Sequence, residues 1–535
     1  MTATTHLRGN IITTLLAIAL LAACGDANVA LAQCTAGELA KLAAADPQST
    51  DLTGYSVAVS GAVAVIGAYQ DDDNGNNAGT AYVFTFEGST WTLAAKLSAS
   101  DALGGDYFGY AVAISGETVV VGAYGDDDHG SVSGSAYVFV KPPGGWEDMT
   151  QTAKLTASDG VSYDRFGSAV AVSADTVVVG AYLNDDAGTS SGSAYVYAKP
   201  AGGWVDAEQD AKLTASDAAA YDEFGQAVAI SGNTVVIGAY ADDDSGSSSG
   251  SAYVFEKPLD GWIDMADETA KLTASDGSIN HYFARSVAID GEAVLIGAPF
   301  DDETASNAGA AYLFDRPAGG WEDMTQTVKL LATDGAAYDE LGRSVSLSGA
   351  IALIGAQNCD IEAEATEADA GAAYVYRYDG GSWVEDAKLV ASDAAASDEF
   401  GFAVGVSGSI AVVGAYLDDI DTEEDAGSAY AFHGLSDCNT NTVLDLCDIV
   451  NGTSFDTDGN GVPDECVTAV LGDLDCSGGF DIDDVAPFVM VLVGEPPYAD
   501  YYDLYPACNH LNGDMNGDQT VDGEDIYSFI DSLAM

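Results

Sequence analysis

The chain has 535 residues, with 16 Lys plus Arg against 85 Asp plus Glu, a formal charge of -69. That length exceeds one ordinary core, so several domains or an array are expected. The charge excludes nucleic acid as a partner and basic docking on anionic lipid, because both need cationic surface.

The first segment reads as an export signal. Arg8 supplies the positive region, and residues 11–23 supply an apolar run too short to span a bilayer. Two cleavage readings stand. Ala30-Leu31-Ala32 fits ordinary signal peptidase, giving a signal of 1–32. Leu21-Ala22-Ala23-Cys24 resembles a bacterial lipobox, giving a signal of 1–23 and a lipid anchor at Cys24. Both place the mature chain outside the cytoplasm, secreted or at the cell surface, where disulfides persist. No later segment reads as transmembrane.

From about residue 33 to 434 one unit of about 58 residues occurs seven times, the signature of a repeat architecture. The copies begin at Lys41, Lys96, Lys154, Lys212, Lys271, Lys329 and Lys388. Each holds four short β-type runs. In one copy they are AKLTA (211–215), QAVAIS (226–231), TVVIGAY (234–240) and SAYVFEK (251–257), parted by Gly, Ser and Asp turns. Four strands per unit at this period read as propeller blades. The expected fold class is all-β, a seven-bladed propeller of four-stranded blades. The Ala-rich run suits the innermost strand, where blades converge. The array starts with a KL strand and ends without one, so residues 38–45 are expected to complete the blade built from 401–433 and to close the ring. The seven KL lysines are expected on the outer blade edges, where they deter edge-to-edge pairing.

Phe108-Gly109, Phe166-Gly167, Phe224-Gly225 and Phe400-Gly401, followed by Gly122-Ala123-Tyr124 or Gly297-Ala298-Pro299, resemble the FG-GAP repeat. That resemblance implies the seven-bladed propeller of integrin α-subunits and bacterial secreted proteins. Thr53-Gly54, Phe283-Ala284 and Leu341-Gly342 depart from it. The Phe is expected between blades and the Gly in a tight turn.

The loops after the GAY and KL strands share one face and are acidic, as in Asp71-Asp72-Asp73 and Asp126-Asp127-Asp128. A solvated acidic rim is expected there, with calcium in some loops as the other reading. Integrin-type propellers carry calcium between first and second strands. Here that turn is short, as in Ser231-Gly232-Asn233, so the family's ligands do not transfer.

After Gly434 the pattern changes. Residues 435–467 read as a calcium and disulfide linker. Asp456, Asp458, Asn460 and Asp464 in DTDGNGVPD are similar to thrombospondin calcium repeats. Residues 468–535 hold two twelve-residue loops. The first offers Asp473, Asp475, Ser477, Gly479, Asp481 and Asp484; the second offers Asp514, Asn516, Asp518, Thr520, Asp522 and Asp525. Each precedes an apolar, helix-like run. The pair resembles a dockerin domain, which implies two calcium ions and a cohesin-like partner. Ser477 and Gln519 depart from the loop pattern. Cys438 with Cys447 and Cys476 with Cys508 are local pairing candidates; spacing leaves Cys34, Cys359 and Cys466 open.

No catalytic constellation stands out. His6, His129, His281, His433 and His510 occur singly, outside metal or triad spacing. The irregular loop from Cys359 to Gly371 is the first place to look for a site. The expected function is an extracellular, calcium-binding adhesion or ligand-binding propeller whose ligand is a glycan or protein. The alternatives are a dockerin-bearing polysaccharide hydrolase or lyase, and a structural surface component.

Overall fold

Runs of small and β-branched residues form strands where the repeat puts them. In the fourth blade these are Ala227–Ser231, Thr234–Ala239, Ser251–Glu256 and Ala270–Thr273, hydrogen-bonded in that order from inside out. This computed structural model describes residues 34–36 (backbone only), 38–87, 89–360, 368–436, 443–451 and 453–454. Within them lie seven sheets of the same order. Each innermost strand touches the next, and the last, Ala403–Ser407, touches the first, Thr53–Ser60. The repeat array thus forms an all-β propeller of seven blades with a closed inner ring.

Closure follows the expected route and goes further. Ala40–Leu42 pairs antiparallel with Ser428–Phe432 and supplies the fourth strand of the seventh blade. Upstream, Cys34–Ala36 pairs parallel with the outer strand of the sixth blade. One N-terminal segment therefore clasps two blades. Glu38 adds a side-chain link, accepting from Ser392 N–H at 2.9 Å and from its hydroxyl at 2.7 Å. Gln151, Gln209, Glu268, Gln326 and Glu385 make the same contact to the preceding blade.

The KL strand is not the outer edge of every blade. Met149–Thr150, Ala207–Glu208 and Met324–Thr325 each lie parallel outside the KL strand of a preceding blade. These fifth strands are two residues long and come from the linkers that follow the third strand.

A hydrophobic cluster fills each gap between neighbouring blades. The FG phenylalanines sit in these gaps: Phe108, Phe224 and Phe400 are fully buried. The glycine after them turns at positive φ, 94° at Gly109, and a Cβ there would lie 2.3 Å from the Thr80 carbonyl. Ala284 takes the same left-handed conformation at 66°. Among the described residues the one helix is Asp445–Asn451, outside the array and beside Cys34–Ala36. Leu435, Leu444 and Leu446 pack into the gap between blades six and seven. Cys447 is disulfide-bonded.

Candidate functional site

The acidic face is built differently from expectation. In five of the seven loops after the second strand the first carboxylate is not solvated: Asp71, Asp126, Asp242, Asp301 and Asp418 are 1–4% exposed. Burying a carboxylate requires a partner, and the KL lysine provides it. Lys154 Nζ lies 3.0 Å from Asp126 of its own blade and 2.8 Å from Asp101 of the blade before, and also bonds Asp128. The Tyr137 hydroxyl donates to Asp126 at 2.8 Å. The ammonium stands 5.2 Å from the Tyr137 ring centroid.

This arrangement repeats around the ring. Lys96 bonds Asp46, Lys212 Asp159, Lys271 Asp217, Lys329 Asp276 and Lys388 Asp334, at 2.6–3.3 Å. Lys41 bonds Asp393 at 2.7 Å and closes the circuit. The lysines are therefore cross-blade fasteners on the acidic face, and the edge role read from the sequence is corrected. The reason is reach. Lys154 comes from the fourth strand but points along the sheet face toward its end, where two acidic loops meet.

The same geometry bears on calcium in the propeller. Asp101, Asp126 and Asp128 bring carboxylate oxygens close enough to share a cation, as do Asp217, Asp242 and Asp244. Lys154 and Lys271 already bond all three carboxylates of their groups. Their donor sets are met by a built-in ammonium. Two blades vary the socket: Asn184 stands for the buried Asp in the third, and Cys359 in the sixth. Cys359 is a free, buried thiol 3.5 Å from the Tyr374 hydroxyl, and burial pushes its pKa up.

Inside this rim the channel opens, and there the blades stop resembling one another. The residues after the FG-type pairs are Tyr55, Tyr110, Ser168, Gln226, Arg285, Arg343 and Phe402. Most of them line an axial cavity of about 230 Å³. One side of the mouth is aromatic. Tyr55 lies 5.0 Å from Tyr110 and 4.7 Å from Phe402, and Phe402 lies 4.4 Å from Tyr416. Tyr107 stacks on Tyr124 at 5.0 Å with 10° between the planes.

The other side is charged. Arg343 sits 4.2 Å from the Phe402 centroid and donates to Gln357 at 2.9 Å. Gln357 in turn donates to Glu340 at 3.0 Å. Burial, reinforced by the nearby Arg285 charge, holds Arg343 down to about 10. Burial pushes Glu340 and Glu399 upward. Arg165 lies over the rings of Tyr124 and Tyr182. Three of the six arginines in the chain thus gather at one mouth.

The sequence reading missed this mouth. Its signal was present as variation beside the FG-type pairs, where otherwise similar repeats carry aromatic, polar and charged residues in the same register. The sixteen predicted calcium ligands, from Asp456 to Asp525, lie outside the described residues. So do residues 361–367 of the irregular loop and the pairing candidates Cys438, Cys476 and Cys508.

The FG-GAP repeat profile matches seven times, at residues 36–84, 91–139, 149–197, 207–255, 266–314, 324–376 and 383–432. The chain belongs to the FG-GAP repeat family. Repeats of this family are typical of extracellular or cell-surface proteins, and its propellers point to ligand-binding or adhesion-type function. No curated protein matches the chain. Among solved structures it is similar to the WD40 beta propeller domain of Doa1, at 10% identity and a TM-score of 0.41. That similarity covers 74% of this chain and 96% of the other. Among the described residues no helix is long and apolar enough to cross a membrane.

Proposed function

We propose that this FG-GAP protein is an extracellular adhesion or ligand-binding module, not an enzyme, whose ligand seats on the axial mouth of the acidic face. The observation that carries the reading is the loss of repetition at the position after the FG-type pairs. Seven copies that keep their core residues carry Tyr, Tyr, Ser, Gln, Arg, Arg and Phe there. A packing role would favour one residue type in all seven; recognition of one asymmetric ligand favours seven different contacts. The aromatic half offers ring faces for an apolar or sugar surface. A ligand group that brings negative charge to Arg285 and Arg343 relieves the repulsion between them.

The rest of the reading concerns anchoring. An export signal of 1–32, or 1–23 with lipid at Cys24, delivers the chain to the exterior. The C-terminal loops headed by Asp473 and Asp514 hold Ca2+ and present a dockerin-like surface to a cohesin-like protein. Carboxylates at alternate loop positions supply the hard oxygen donors calcium prefers. Calcium is assigned to the tail because the propeller sockets that could hold it carry lysine.

The test is a screen of the full-length protein on extracellular glycans and matrix proteins, repeated with Arg343→Ala and Tyr110→Ala. Binding that falls about tenfold or more in both variants, with unchanged melting and no ligand turnover, supports the reading. Binding unaffected by both substitutions, or cleavage of the ligand, refutes it.

A further inference from the structure

A cavity lies on the opposite face, between blades five and six. It follows from comparing how the seven gaps are sealed. In blades two to five a loop joins the third and fourth strands and carries Trp146, Trp204, Trp262 or Trp321. Each indole is 5–9% exposed and packed into the gap with the preceding blade. Blades one and six instead join those strands by tight hairpins, with Phe86 paired to Trp91 and Tyr378 paired to Trp383. Their tryptophans stay on the strand and only part-fill the gap.

At the gap between blades seven and one another residue completes the seal. His433, 3% exposed, lies 4.1 Å from the Phe86 ring and accepts a hydrogen bond from Trp91 Nε1 at 3.0 Å. Burial lowers its pKa to about 4, so the ring is neutral and Nε2 is an acceptor. The residue in the same register of blade five is Asp315, directly after Phe314 as His433 follows Phe432. Asp315 is exposed. Here a cavity of about 480 Å³ opens, lined by Asp315, Thr327, Tyr378, Ser382 and Trp383 among others. That volume falls within the usual range of small-ligand sites, about 300–1,000 Å³.

We infer that this slot binds a planar organic cation, a guanidinium or imidazolium group such as an arginine or histidine side chain of a partner presents. The shape argument is internal: the equivalent gap is completed by a flat five-membered ring against a tryptophan and an aromatic neighbour. The charge argument is the substitution itself. Replacing His433's counterpart by a carboxylate removes the ring and leaves an anion beside two aromatic faces, which together favour a flat cation.

The test uses the full-length protein and two probes, N-acetyl-arginine methylamide and N-acetyl-lysine methylamide. Binding is followed by calorimetry and tryptophan fluorescence in about 0.5 M salt, which screens diffuse attraction to the acidic surface. The arginine probe is expected to saturate and to bind about tenfold tighter than the lysine probe. Asp315→His should abolish binding while leaving melting unchanged or raised, because it rebuilds the plug that His433 forms. Trp383→Ala should weaken binding about tenfold. Absence of saturation, equal binding of both probes, or wild-type affinity in Asp315→His overturns the inference.

Discussion

Replacing Lys154 by Met keeps the length of the side chain and removes its charge. Asp126 is then buried without its cation, while Asp101 and Asp128 lose a partner but remain about half exposed. Breaking a buried pair from one side costs about 3–5 kcal/mol, and exposed carboxylates add little. Since Lys154 itself is 11% exposed at its side chain, about 3 kcal/mol is expected at neutral pH. With roughly 400 residues in the propeller and ~2.1 cal/mol/K per residue, that lowers Tm by about 3–4 °C. The loss has a pH signature. Burial opposes ionisation of Asp126, but Lys154 outweighs it and holds the carboxyl below its usual value. That stabilisation is present above the unfolded carboxylate pKa of about 4 and is lost as pH falls through the lower folded value. Without Lys154 burial wins and the folded pKa rises, so the deficit of Lys154→Met should shrink between pH 7 and pH 5. Millimolar calcium should also restore part of the variant's Tm and none of the wild type's, since the emptied carboxylates can share an ion. Differential scanning fluorimetry at both pH values, with calcium and with chelator, reads both effects. An unchanged Tm, or a deficit equal at pH 7 and pH 5, would refute the socket argument.

The other predictions follow from the same face and the tail. Burial raises Asp51 and Asp398 to about 7, and Asp106 and Asp222 to about 6. A raised folded pKa means stability present below the unfolded value and lost as pH climbs through the folded one. The wild-type Tm should therefore increase as pH is lowered from 8 to 5, and a flat or falling profile would contradict this. Asp126, Asp301 and Asp393, all held low, act only below about pH 4 and set the acid limit. In the tail, Asp473→Ala and Asp514→Ala should each remove one calcium ion from the bound stoichiometry by calorimetry. Chelation should leave the propeller's own melting transition where it is; a propeller that melts earlier in chelator would restore calcium to the acidic face.

Much of the architecture was legible because repeat registers are rigid. Four runs per unit, the Ala-rich inner strand and an array that lacks its last strand leave a single way to close the ring. The fifth strands were not legible, since Met149–Thr150 is two residues long and its partner belongs to another blade. The lysine sockets were hidden for a related reason. Lys154 lies 28 positions from Asp126 and 53 from Asp101, and side-chain direction, not spacing, joins them. The mouth was overlooked because shared motifs drew attention, whereas the surface proposed for recognition lies where the copies disagree.

The ring depends on Cys34–Ala36 and Ala40–Leu42 joining blades six and seven. Melting of the chain lacking residues 34–45, against the full chain, tests that dependence directly. A markedly lower Tm, restored in part by a synthetic peptide of residues 33–46, is the predicted result. A truncated protein that melts with the full chain would contradict the clasp.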